Sequence, residues 1–293
     1  MSVVLEARAI SKSFPGVQAL DQVDVAIERG SCHALMGENG AGKSTLGKIF
    51  AGLYQPDAGE VLLEGRPVRF SGPLAALRAG IAMVHQELVF CENLSVAENL
   101  CLDALPSRGP FLDRRAMRDR AARWLESIQA PIDPDTRVGE LPIAKQQLVQ
   151  IAGAVGRDAR VILFDEPTSS LTARESDILF EQIRTLQARG VTFLYVSHRM
   201  DEVFTLCDTV TVLRDGRLVD TTPIAELDRE SLVRKMIGRT LEAVDRAPQS
   251  FSIGKELLRV EGLTRPGVFE EISFSVREGE ILGFAGLVGA GRT

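Results

Sequence analysis

Short apolar runs rich in β-branched residues recur along the chain at 23–27, 32–36, 161–164, 192–196 and 210–213, and they alternate with stretches of helical spacing. That alternation predicts an α/β domain with a mostly parallel core sheet. Residues 113–129 (DRRAMRDRAARWLESIQ) and 144–155 are predicted helices; in the second, Leu148, Ile151, Ala152 and Val155 recur at i, i+3, i+4 and i+7 and make one apolar stripe. Between about 87 and 156 helical patterns dominate and strand signal is sparse, which reads as a helical insert within the α/β body. Past Met236 the pattern loosens into GRTLEAVDRAPQSFSIGKE, whose Gly, Pro, Ser and mixed charges predict a linker over 239–254.

The last segment repeats the first. VDVAIERGSCHALMGENGAGKS, ending at Ser44, aligns with ISFSVREGEILGFAGLVGAGRT, ending at Thr293, at one constant offset that pairs Gly30 with Gly279 and Gly37 with Gly286. The expected organisation is one complete domain over 1–238, the linker, and the opening of a second, incomplete copy over 255–293. Strands expected at 272–276 and 281–285 would lack the rest of their sheet, and would pair between molecules, pack on the first domain or stay disordered.

The chemistry begins at the end of the second apolar run. Residues 37–44 read GENGAGKS and match G-x-x-x-x-G-K-[ST], with the strand-like CHALM before them and a helical segment from about Lys43 after them. Glycines let successive backbone amides turn inward as an anion nest, and the helix N-terminus adds its positive end. Lys43 would reach the outer phosphates of a nucleotide and Ser44 would ligate Mg²⁺. VILFDEPTS supplies the acidic partner such a loop needs: Asp165 to hold Mg²⁺, and Glu166 to orient or deprotonate an attacking water.

These motifs do not stand alone. VHQE around Gln86, LPIAKQQ from Leu141, FDEPTSSLT from Phe164 and VSHRMDE around His198 stand in the order found in ATP-binding cassette ATPases, which the chain resembles over nearly its whole length. FPGVQAL, HQEL, LTARE, SHRMDEVF and VLRDG are similar in particular to the ATP-binding subunits of bacterial importers of ribose, galactose or xylose, in which two cassettes are fused in one polypeptide. The resemblance implies a P-loop NTPase cassette with a mostly parallel core sheet, an antiparallel β portion and a helical insert. It implies ATP and Mg²⁺ held by Gly37, Glu38, Asn39, Gly40, Ala41, Gly42, Lys43, Ser44 and Thr45, with Phe14 stacked on adenine. Catalysis would fall to Glu166, His198 at the γ-phosphate, and Gln86, which would also touch the metal with Ser44 and Asp165. Thr168, Ser169, Ser170 and Leu171 would line a seam between cassettes. The implied partners are two membrane permease subunits, an external sugar-binding protein acting through them, and a second cassette; the implied place is peripheral, on the cytoplasmic face of the bacterial inner membrane.

Two departures from the family pattern are expected to meet at one composite site. The signature usually begins L-S-G-G-Q, whereas here Pro142 stands where the serine belongs, removing a hydroxyl and an N–H donor. The second phosphate loop carries Arg292 where the first has Lys43, and a planar guanidinium does not replace an ammonium inside a tight nest. Hydrolysis is therefore expected at the Lys43, Glu166 and His198 site; the alternative is that Pro142 is tolerated and leaves the other site working.

Composition narrows the rivals. The chain has 293 residues, 34 basic and 40 acidic, with a net charge of -6, so it has no basic footprint for nucleic acid. No apolar run approaches the ~18 residues of a membrane span, and the N-terminus does not read as a secretory signal. Cys32, Cys91, Cys101 and Cys207 are scattered without metal-site spacing and read as reduced, packing cysteines. A soluble cassette ATPase acting on ribosomes or DNA, and an inert nucleotide-binding fragment, remain as alternatives.

Overall fold

The computed structural model describes residues 2–84, 90–169, 171–237 and 254–285. It divides into two compact units, Met1–Thr240 and Leu241–Thr293. The expected linker, 239–254, lies almost wholly outside the described residues.

The first unit opens with a long antiparallel hairpin, β1 (Val3–Phe14) and β2 (Val17–Glu28). In β2 Val23, Val25 and Ile27 are buried while their neighbours face outward, the alternation of a half-buried strand. This strand pairs antiparallel with β1 and takes no place in the parallel sheet, a refinement of the sequence reading. β1 itself escapes the period-2 pattern because its register shifts several times along the pair, and each shift changes which face a side chain meets.

The chain then enters the core through β3 (Cys32–Met36), passes the phosphate loop into α1 (Lys43–Phe50), and returns to the hairpin through β4 (Ala58–Leu63) and β5 (Arg66–Val68). The resulting four-stranded antiparallel sheet has the order β2-β1-β4-β5. After α2 (Pro73–Arg78) and β6 (Ile81–Val84) comes the helical insert: α3 (Val96–Cys101), the short strands β7 (Ser107–Arg108) and β8 (Phe111–Leu112), α4 (Arg114–Ser127) and α5 (Ile143–Gly156). The predicted helices 113–129 and 144–155 correspond to α4 and α5. Asp113 caps α4 by accepting from the Ala116 N–H, and Ser95 and Glu98 form a capping box on α3.

The chain returns to the core through β9 (Val161–Asp165), α6 (Ala173–Ala188), β10 (Thr192–Val196), α7 (Met200–Leu206), β11 (Thr209–Arg214), β12 (Arg217–Pro223) and α8 (Arg229–Ile237). The core sheet has the order β12-β11-β3-β10-β9-β6, parallel throughout except for β12 on the edge. A parallel sheet is covered on both faces, so its central strands β3 and β10 are buried at every position and mostly apolar. Along β10, Phe193 and Tyr195 join the core under the helical insert, while Leu194 and Val196 join the core shared with α1 and the antiparallel sheet. All four cysteines are free, and Cys32, Cys101 and Cys207 are buried.

His33 sits in this core on β3, its Nε2 2.7 Å from the Thr211 hydroxyl. Burial pushes its imidazole down to about 4. The unfolded chain takes up that proton near pH 6.5, so between 6.5 and about 4 the unfolded state binds more protons and stability falls as pH falls. The expected loss is at most about 3 kcal/mol by pH 4, and His33→Gln is expected to flatten that part of a stability–pH curve measured by urea unfolding.

Among its described residues the second unit contains one antiparallel hairpin, β13 (Glu256–Arg265) and β14 (Phe269–Arg277). The strand expected at 272–276 lies within β14 and finds its partner in β13, a local solution the sequence reading did not include. Residues 281–285 form no strand, which corrects that expectation: Ile281 is 95% exposed, and among the described residues no strand pairs with the segment.

Candidate functional site

The phosphate loop is shaped by glycine at two places where no other residue fits. Gly37, directly after β3, has φ +151°, and a Cβ there would lie 2.2 Å from the Leu213 carbonyl of β11. Gly42, at the N-cap of α1, has φ +98°, and its Cβ would lie 2.5 Å from the Ala19 carbonyl of β2. The loop is thus clamped between two strands, with Glu38, Asn39 and Gly40 exposed at its crest and Ala41 and Gly42 buried at its base. Gly42 leaves α1 with no side-chain cap and no acidic residue in the first turn, so its leading amides and positive dipole end face the loop.

Lys43 is 6% exposed and its ammonium folds back over the loop, donating to the carbonyls of Gly37 and Glu38 at 2.9 Å each. Burial holds its pKa below the ordinary lysine value, opposed by the nearby Glu166 and Asp165 carboxylates. Ser44, on the first turn of α1, donates to Asp165 Oδ1 at 3.1 Å, joining α1 to the end of β9; Thr45 follows it, half-buried.

Glu166 follows Asp165 with φ +49°, a left-handed backbone uncommon for a non-glycine residue. Its N–H donates to the Val196 carbonyl at the end of β10, pinning the turn to the neighbouring strand. Its Oε1 lies 3.0 Å from Nδ1 of His198, which stands in the loop after β10. Gly37, Glu38, Asn39, Glu166, His198 and Met236 line one open cavity of about 570 Å³. The structure therefore gathers the loop, Lys43, Ser44, Asp165, Glu166 and His198 at the carboxyl ends of β3, β9 and β10, the crevice where open α/β sheets bind ligands.

The donor set suits a small hard cation. Ser44 and Asp165 bring two oxygens together, and Mg²⁺ takes few protein oxygens beside phosphate and water. Among the described residues no cluster of three His, Cys, Asp or Glu forms a self-sufficient metal cage.

Phe14 is not among the residues that line the cavity. It is 36% exposed at the end of β1, edge-on to Tyr54 at 5.3 Å, with the Lys12 ammonium 5.6 Å from its ring centre. Gln86, Ser170 and Arg292 lie outside the described residues. Pro142 is the N-cap of α5; its carbonyl accepts from Lys145 and Gln146, and it supplies no side-chain cap. Thr168 is a correction to the expected seam: it is 2% exposed, and its hydroxyl donates inward to Glu202 at 2.7 Å. Ser169 is exposed, and Leu171 is half-buried against the core.

Two contributors escaped the sequence reading. Met236 of α8 forms an apolar wall of the cavity from a stretch whose spacing only announced the end of the domain. Glu202 is buried beneath the site, and nothing in the run Asp201–Glu202 distinguishes it from its exposed neighbour.

Comparison with known proteins follows the same lines. Residues 20–169, just over half of the chain, match the ABC transporter family. The chain is 50% identical over 293 residues to ribose import ATP-binding protein RbsA 3 of Rubrobacter xylanophilus, covering 100% of this chain and 59% of that protein. It is 51% identical over 298 residues to arabinose import ATP-binding protein AraG of Ralstonia nicotianae, covering 100% and 57%. It is 50% identical to putative ribose/galactose/methyl galactoside import ATP-binding protein 1 of Agrobacterium fabrum, covering 100% and 58%. The chain thus spans less than two thirds of the length of these relatives. Among solved structures, an ATP-binding cassette of an ABC transporter in its ADP conformation superposes with a TM-score of 0.70 at 25% identity, covering 82% of this chain and 100% of that one. A member of an ABC transporter complex from Clostridium perfringens superposes with a TM-score of 0.68 at 26% identity, covering 82% and 96%.

Proposed function

The chain belongs to the ABC transporter family, and we propose that it binds and hydrolyses ATP to power import of a monosaccharide through a membrane permease. The observation that carries the ATPase reading is the single cavity onto which the phosphate loop, Glu166 and His198 open. The sugar reading rests on the import proteins named above, which match the chain from end to end.

In this reading the amides of residues 37–44 and the Lys43 ammonium hold the β- and γ-phosphates, while Ser44 and Asp165 hold Mg²⁺. Mg²⁺ bound there would neutralise charge building on the phosphate oxygens. Glu166 orients a water, or takes its proton, as the water oxygen attacks the γ-phosphorus; the bond to the β,γ-bridging oxygen breaks, and ADP leaves with that electron pair. His198 hydrogen-bonds the γ-phosphate and is aligned by its contact with Glu166. Phe14, 36% exposed at the end of β1, would meet the adenine ring.

The coupling surface is proposed at an apolar groove of about 340 Å³ between the core and the helical insert, whose walls include Leu74, Leu77, Met83, Phe90 and Gln150. Met83 and Phe90 flank the segment that carries Gln86, so a permease element seated in the groove would sense the state of the nucleotide through that segment. A second cassette would complete the Lys43 site with its own signature, while Pro142 and Arg292 would together leave the other composite site degraded.

Binding of Mg·ATP tests the reading directly. The protein is expected to bind a fluorescent ATP analogue, and Lys43→Ala to weaken that binding at least about tenfold by removing a buried charge-assisted contact. No binding by the wild-type protein would overturn the ATPase reading. Co-purification of a polytopic membrane protein with the wild-type chain, lost on Leu77→Asp in the groove, is the expected result for transport; a ribosome or DNA in its place would favour the soluble alternative.

A further inference from the structure

Beneath the cavity, Glu202 of α7 is 4% exposed, and four donors converge on its carboxylate. Oε1 accepts from the Thr168 hydroxyl at 2.7 Å and from the Arg199 guanidinium at 2.7 Å. Oε2 accepts from the Tyr195 phenol at 2.9 Å and from the Ser197 hydroxyl at 3.1 Å. Thr168, Tyr195 and Ser197 are themselves buried, so no water competes for these bonds. Burial, followed by the charge of Glu202, pushes the Tyr195 phenol well above its ordinary pKa, so it remains a donor.

The donors are placed where they matter. Thr168 lies two residues past Glu166 in the turn after β9, and Ser197 immediately precedes His198 in the loop after β10. Each segment carries one member of the Glu166–His198 pair. Strand pairing joins β9 to β10 only as far as Val196 and Asp165, so beyond that point the two segments depend on other contacts for their spacing. The Glu166 N–H to Val196 bond and the Glu166–His198 contact are two, and Glu202 supplies a further set from below.

We propose that Glu202 is a positioning residue for hydrolysis: its buried carboxylate ties the turn carrying Glu166 to the loop carrying His198 and sets the distance between them. The role rests on the ATPase reading above. A carboxylate is required because all four neighbours donate. Glutamine has the same shape but one acceptor oxygen, and it turns an NH₂ group toward two donors, which leaves a buried network half-satisfied.

The test compares Glu202→Gln, Thr168→Val and Tyr195→Phe. Thr168→Val cuts the tether to the Glu166 turn; Tyr195→Phe removes a bond to the same carboxylate from a strand residue that belongs to neither segment. The readouts are the side-chain resonances of His198, assigned through a His198→Asn control, the Kd for Mg·ATP, and kcat. Glu202→Gln and Thr168→Val are expected to shift the His198 resonances and to lower kcat about tenfold with Kd within about threefold, the cost of misaligning rather than losing a reacting group. Tyr195→Phe is expected to lower the melting temperature while leaving His198 and kcat within about twofold. Unmoved His198 resonances in Thr168→Val, or an equal effect from Tyr195→Phe, would overturn the proposal. If Glu202→Gln does not fold, the other two variants decide. The His198 signals need no nucleotide, so a wild-type protein that binds no ATP would end the ATPase reading without being mistaken for failure of the tether.

Discussion

Replacing Glu166 by Gln is expected to lower ATP turnover about 10²–10³-fold while leaving Mg·ATP affinity within about threefold. The carboxylate lies on the wall of the cavity beside His198, and its backbone is held in a left-handed conformation by the bond to Val196, so it is aimed before substrate arrives. A backbone strained at a cost of order 1–3 kcal/mol persists only where its surroundings hold it, and here they hold the one acid that faces the cavity from the end of β9. In the proposed reading the carboxylate would take no part in gripping phosphate, which would fall to the loop amides and Lys43, so affinity and turnover are expected to separate. Gln keeps the shape and loses the ability to take a proton or to accept from water with a full charge. Turnover by Glu166→Gln within about threefold of wild type, measured as phosphate release, would remove Glu166 from the chemistry.

Gly37→Ala is expected to abolish nucleotide binding, with a loss of about 10²-fold or more. Two costs combine: a Cβ at φ +151° is conformationally strained, and it would sit 2.2 Å from the Leu213 carbonyl and 3.0 Å from the Ala41 Cβ. The Leu213 carbonyl belongs to the backbone of β11 and does not swing aside, so the loop must lift from the strand and its amides lose their common focus. Gly40→Ala is the matched control. Its φ is +85°, yet nothing lies within 4 Å of the new Cβ, so only the backbone penalty of about 1 kcal/mol remains. Isothermal titration with Mg·ATP on the two variants separates these outcomes. Equal affinities would mean that the contact with β11 does not shape the loop.

Much of the site was legible because its chemistry is local. The glycine spacing, Lys43 and Ser44 sit within eight consecutive residues, and Asp165 and Glu166 close an unbroken apolar run that could only be a buried strand. The helix start at Lys43 was readable for the same reason, since a cap or glycine turn acts over three or four residues; the capping box of Thr172 and Glu175 at the start of α6 acts over the same range. The repeat joining 255–293 to the opening announced a second copy but not the hairpin of β13 and β14, since the strand partner of 272–276 was not named by it. What was missed depended on partners distant in sequence. The bulged register of β1 hid its alternation, Thr168 was expected on a seam between cassettes, and residues 281–285 had a strand's composition without a neighbouring strand to bond.

The glycine loop, the acidic pair that ends β9 and the α/β alternation are written locally in the sequence, because each follows from steric and hydrogen-bonding needs satisfied within a few residues. Which of two adjacent acids is buried follows from long-range contacts alone. Asp201 and Glu202 are equivalent as letters, but the first faces water while the second is enclosed by donors from β10, from the turn after β9 and from the loop after β10. Desolvation makes a buried carboxylate costly unless it is fully hydrogen-bonded, and the donors that meet this need lie up to 34 residues away along the chain. Parallel strand pairing brings them together, and no local pattern encodes that meeting.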